Sequence, residues 1–247
     1  MNTWFLLPSL ALVAGIVALT PLGSQVLRRG VVFIERAVAQ AAAAAVIWIH
    51  FVSDVESEIL DQLASTFGAV GASLAIAWVA RNWGRQREAL IGLLYVASAC
   101  MALLGASQHP HGREKLFLLL AADVLWVNVH GVILLLVSAL GVRVALLKHW
   151  LSSDAVFYIA FALVASVAVP ALGLFLVFAC LIAPALWIEK GVRPCVAMMM
   201  ASMACLLGLM SSWAFDTPSG PTVVLMLAIM GWGASFHQQH MDPKTDE

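Results

Sequence analysis

This 247-residue chain has little charge: Asp, Glu, Lys and Arg together make 11% of it, and its net charge is −1. An ordinary soluble domain carries about 25%. No basic tract or aromatic-interleaved basic patch occurs, so nucleic-acid binding is excluded as a class. Catalytic signatures are missing as well. There is no G-x-S-x-G elbow and no H-E-x-x-H, and no G-x-x-x-x-G-K-[ST] loop through which the chain itself could bind ATP. The four cysteines (Cys100, Cys180, Cys195 and Cys205) show no C-x-x-C spacing. Lying in or beside apolar segments, they read as small buried hydrophobes.

What is present is apolar length. Hydrophobic residues make up 62% of the chain, and the mean hydropathy is +0.95. Apolar segments fall at about 4–22, 31–52, 60–80, 89–107, 128–147, 155–169, 171–188, 195–213 and 221–236. Each long one approaches the ~20 residues that a helix needs to cross ~30 Å of hydrocarbon. The sequence therefore predicts an all-α polytopic membrane protein. It has eight or nine transmembrane helices, depending on whether the pieces flanking Pro170 cross separately. Pro170 and Gly173 would interrupt any single helix through that region. Apolar runs recur from end to end and leave no room for a soluble domain, so residues 1–247 read as one transmembrane domain. The first segment lacks a basic leader and runs through Pro21-Leu22-Gly23-Ser24 into Arg28-Arg29, which reads as a retained helix.

Arginine and lysine recur at alternate connections: Arg28-Arg29; Arg81, Arg85 and Arg87; Arg143 and Lys148; Lys190 and Arg193. The intervening connections carry Asp54, Glu56, Glu58 and Asp61, or Asp216, with Arg113 and Lys115 as exceptions. Positive-inside reasoning places the arginine connections in the cytoplasm and the N-terminus outside. Leu116–Trp126 is apolar but only about eleven residues long, with Asp123 inside it. It reads as a short re-entrant or interfacial helix.

Two polar sets are candidates for chemistry. Glu35, Arg36 and Gln40 lie within the second apolar segment, where ionisable groups tend to face a bundle interior or a water-filled route. Pairing or snorkelling of Glu35 and Arg36 near a helix end, and a helix–helix hydrogen bond from Gln40, are the plainer alternatives. At the opposite ends of the spans stand His50, Asp54, Glu56 and Glu58, then His109, His111 and Glu114. Imidazole and carboxylate suit zinc, manganese or iron, and an H-x-H pair beside a Glu has the makings of an entry site. An ordinary solvated loop would contain the same residues. The small residues at Ala41–Ala45, Gly68, Gly71, Ala201, Ala204 and Gly208 read as close helix packing. So do the methionines Met198, Met199, Met200, Met203 and Met210.

Several motifs together resemble one family. These are Pro21-Leu22-Gly23-Ser24 with Arg28-Arg29-Gly30-Val31-Val32-Phe33-Ile34-Glu35, then Glu88-Ala89-Leu90-Ile91-Gly92-Leu93, then Pro110-His111-Gly112 with Glu114 running into Asp123-Val124-Leu125-Trp126-Val127. Leu172-Gly173-Leu174-Phe175-Leu176-Val177-Phe178-Ala179, continuing to Ile182-Ala183-Pro184-Ala185, and Asp216-Thr217-Pro218-Ser219-Gly220-Pro221 complete the series. In this order they resemble the membrane permease subunits of bacterial metal-ion (zinc/manganese/iron-type) ABC importers.

The resemblance implies a homodimeric permease of the cytoplasmic (inner) membrane with its translocation path at the subunit interface. It also implies a cytoplasmic ATPase partner and an extracytoplasmic metal-binding protein. No cofactor would be bound by the chain; a divalent metal, zinc or manganese, would be cargo. On that reading Glu35 and Gln40 stand on the path, and His50, His109, His111 and Glu114 stand near the entrance. Asp216 fixes the outer turn.

The chain departs from the family pattern twice. Members carry an Asp and a His four residues apart in the second helix, where this chain has Glu35 or Arg36, then Ala39 or Gln40. The connection Lys148–Asp154 is shorter than the segment with which many members dock the ATPase. A related permease for a non-metal cargo, and a membrane metalloenzyme or accessory subunit, are the alternatives.

Overall fold

The computed structural model describes residues 5–30, 33–52, 57–83, 86–108, 116–117 and 124–241. Among the described residues there are nine long helices and no strand. They are α1 (Leu6–Arg29), α2 (Ile34–Val52), α3 (Glu58–Asn82), α4 (Arg87–Ser107), α5 (Val129–Leu147), α6 (Asp154–Leu172), α7 (Leu174–Glu189), α8 (Pro194–Phe215) and α9 (Ser219–Met241). Short 3-10 turns at Val124–Trp126 and Trp150–Ser152 precede α5 and α6. Six helices (α1, α3, α4, α5, α6 and α8) are long and apolar enough to cross a membrane; α7 and Ser219–Ala234 of α9 are shorter apolar helices. This is the polytopic all-α architecture that the apolar runs predict. Most of the expected re-entrant segment, together with His109, His111 and Glu114, lies outside the described residues.

Local chemistry sets the helix ends. The backbone N–H of Gly30, in the left-handed region at φ 62°, bonds back to Leu27 and Val26 and closes α1. Pro194 opens α8, where its missing N–H has no partner to lose. Asp216, at φ 51°, ends α8 with its N–H on the Ser212 carbonyl. Thr222 Oγ1 then bonds the Pro218 carbonyl and meets Thr217 Oγ1 at 2.9 Å. Asp216 accordingly shapes the turn between α8 and α9, as expected.

The break between α6 and α7 falls at Gly173, not at Pro170. Gly173 takes φ 82° and ψ 153°, a conformation closed to side chains with a Cβ, whereas Pro170 stays inside the last turns of α6. Pro170 lacks the N–H that would bond the carbonyl four residues back, that of Ser166. Helix α3 supplies the missing donors: Ser65 Oγ bonds that oxygen at 3.0 Å and Gln62 Nε2 at 3.3 Å. A proline inside the membrane is tolerated in this way, by donors from a neighbouring helix.

Helices α1 and α6 form the inner part of the bundle, with Leu12, Leu19, Phe157, Phe161 and Leu172 wholly buried. Close approach depends on small residues. A Cβ on Gly68 would come within 2.5 Å of the Ala41 carbonyl oxygen of α2, whereas one on Gly71 would meet open space. Helices α4 and α5 present exposed leucines and valines, a surface suited to lipid rather than water. Cys180 and Cys205 are buried as expected, but Cys100 and Cys195 are exposed. Met199, Met203 and Met210 are exposed along α8 and do not converge on an interior site.

Candidate functional site

Helix α2 carries the polar residues of greatest interest and packs chiefly between α3 and α4. It also touches α6 and α7. Glu35, in its first turn, is 1% exposed, and neither of its carboxylate oxygens meets a donor on another residue within hydrogen-bond distance. Its nearest cationic neighbour is Arg36, whose Nε lies 3.9 Å from Oε1. That guanidinium turns away and stacks on aromatic rings, 4.7 Å over Phe178 of α7 and 5.9 Å over Phe33. The pairing expected of Glu35 and Arg36 is thus a loose one. A carboxylate so little compensated inside a bundle is costly.

Gln40 is also buried, at 6% exposure. At about 100° per residue, Gln40 lies about 40° around the helix from Arg36 but about 140° from Glu35. Arg36 and Gln40 therefore share a face, and Glu35 and Gln40 do not.

His50 stands at the far end of α2. The separation of fifteen residue steps amounts to ~22 Å of helix, so His50 and Glu35 cannot share one ion. The partner of His50 is Asp61 on α3, with Nε2 2.7 Å from Oδ1. Asp61 also lines a cavity of about 200 Å³ with Gln62, Asn128, His130 and Pro170. The sequence reading treated Asp61 only as a loop charge and passed over His130. Both lie within three residues of a helix start, at the end of the bundle away from the arginines. Among the described residues no three His, Cys, Asp or Glu side chains are grouped to hold a metal ion.

At the opposite end Arg29 is a hub. Its Nε donates to Asp154 Oδ1 at 2.9 Å, one Nη donates to the Leu151 carbonyl at 3.0 Å, and the other donates to Gln25. The guanidinium lies 4.2 Å over the Phe157 ring, and Arg87 of α4 donates to the Arg29 carbonyl. The short connection Lys148–Asp154 is thereby fixed to α1. It still offers an exposed Trp150, with Lys148 Nζ 4.8 Å over its ring, beside a hollow lined by Arg143, Leu146, Leu147 and His149.

Residues 139–237 match the ABC 3 transport family. No curated protein matches at the level of sequence. The fold is similar to that of PsaBC from Streptococcus pneumoniae in complex with Fab, with a TM-score of 0.71 and 17% sequence identity, covering 94% of this chain and 89% of that one. At that identity the likeness speaks for the fold alone. Residues 139–237 are thus similar to the ABC 3 transport family, and the chain as a whole folds as a polytopic bundle of apolar helices like that structure.

Proposed function

We propose that the chain, as one permease domain over residues 1–247, forms the translocation path of an importer for a divalent metal ion, zinc or manganese. It works as a homodimer in the bacterial cytoplasmic membrane. A separate ATPase supplies the energy, and an extracytoplasmic binding protein delivers the metal. The observation that carries this reading is Glu35, a carboxylate buried inside the bundle with no donor turned toward it. The metal is cargo and not a resident cofactor. Scattered polar groups serve that purpose better than a closed ligand set, because a transported ion must be bound weakly enough to leave. On this reading Glu35 and Gln40, which lie on different faces of α2, meet the ion at separate points of the path. His50, with His109, His111 and Glu114, stands at the entrance. The loop Lys148–Asp154, anchored by Arg29, receives the motion of the ATPase.

Arg36 favours a second reading. Its side chain is 40% exposed on the face that also carries Gln40, and a fixed positive charge there disfavours a free cation. A related cargo in which the metal is complexed, or an anionic solute, would suit that face. Whole-cell metal content decides between the two. Cells lacking the chain and its ATPase should lose one metal, and the wild-type chain should restore it. No change in any metal across metal-limited media would refute metal import and leave the second reading.

A further inference from the structure

The cavity between the ends of α2, α3, α5 and α6 has a use of its own. Its volume of about 200 Å³ takes several water molecules at ~30 Å³ each. Asp61, Gln62, Asn128 and His130 line it, with Val46, Leu134, Val167, Pro170 and Ala171 forming the apolar wall. Asn128 and His130 are exposed, so the cavity is open at its rim. The backbone around it is mixed for a cation, with one helix end against the starts of α3 and α5, and the Asp61 carboxylate stands in the first turn of α3. Helix α6 ends there, presenting its negative pole. Helix α5 starts there, but Asn128 Oδ1 accepts the Gly131 N–H at 2.7 Å and satisfies one of the donors that would repel a cation. His50 Nε2 approaches Asp61 Oδ1 from α2 to 2.7 Å, an ion-pair contact without hydrogen-bond alignment.

We propose that Asp61 and His130 form a reception site for a hydrated divalent cation, with His50 in ion-pair contact with Asp61. This rests on the importer reading and gives it a first stop. The protein supplies two ligands and water supplies the rest, which is why no three-residue metal cluster is found among the described residues. A site so constituted captures the ion and releases it inward.

The test is acylation of individual histidines by diethyl pyrocarbonate, read by mass spectrometry on the full chain in lipid nanodiscs, with and without zinc chloride. Zinc should slow acylation of His130, and Asp61→Asn should raise the zinc concentration needed by at least about tenfold. His149, at the other end of the bundle, reports folding: its rate should be the same in variant and wild type. Asn128→Asp keeps the helix cap and adds a carboxylate to the cavity, so it should lower the zinc concentration needed. Absence of protection in the wild type, protection undiminished in Asp61→Asn, or no gain in Asn128→Asp would overturn the assignment. Metal uptake without protection would refute this site alone. Protection without any metal transport would refute the importer reading and leave the site.

Discussion

Replacing Ser65 by alanine should cost the protein stability only while Pro170 is present. The reason is one carbonyl. In a regular helix the N–H of residue 170 would bond the Ser166 oxygen; proline has none, and Ser65 Oγ takes its place at 3.0 Å. Gln62 Nε2 reaches the same oxygen at 3.3 Å, too long to compensate fully. Hydrogen bonds between membrane helices are worth about 0.6 kcal/mol on average and at most about 1.7 kcal/mol. Ser65→Ala should therefore destabilise the wild type by an amount within that range. Pro170→Ala returns an N–H to the helix, and Gly173 still provides the break. In that background Ser65→Ala should cost close to nothing, leaving a coupling of at least about 0.5 kcal/mol in a double-mutant cycle. Reversible unfolding in mixed micelles, titrated with a denaturing detergent, measures all four variants. An equal cost of Ser65→Ala in both backgrounds would refute the claim that α3 supplies the donor that proline removes.

Gly68→Ala should destabilise the bundle by about 1–3 kcal/mol through overlap with the Ala41 carbonyl, while Gly71→Ala on the same helix should not; comparing the two by thermal unfolding cancels their shared gain in helix propensity. Arg29→Ala removes the bonds to Leu151 and Asp154 and should uncouple the short loop. Its expected signature is ATP hydrolysis by the assembled complex that persists while uptake falls, and a matched loss of both would argue for simple unfolding. Trp150→Ala should weaken association with the ATPase subunit in a pull-down from membranes without changing the unfolding temperature, because the ring is 53% exposed.

The parts of the fold that were legible in the sequence are those governed locally. Gly173 and the Asp216–Pro221 turn act within one helical turn, and each marks an element end in the structure; Gly30 and Pro194 mark ends as well but were not singled out. Apolar length announced the helices themselves. What could not be read is what depends on distant partners. The bonds of Arg29 reach 122 and 125 residues along the chain, so its charge read only as a sign of orientation. His50 was legible as a polar residue at a helix end, but its partner Asp61 lies on another helix and was read as part of a loop. His130 sits at the start of the apolar run 128–147 and was not singled out. The signal that would have found it is positional: Asp61 and His130 follow the starts of two helices that begin at the same end of the bundle. Glu35 was singled out from its place in an apolar segment, and it is buried in the bundle. Its role on a translocation path is a matter for experiment.

That experiment is uptake of a radioactive divalent metal, zinc and manganese in turn, into cells expressing the chain with its ATPase and binding protein. Glu35→Gln keeps the shape and removes the ionisable carboxyl group at the buried position. The account predicts that one metal accumulates with the wild-type chain and that Glu35→Gln, present in the membrane at equal amount, brings uptake down to that of cells lacking the chain. Accumulation of neither metal, or full accumulation with Glu35→Gln, would contradict it.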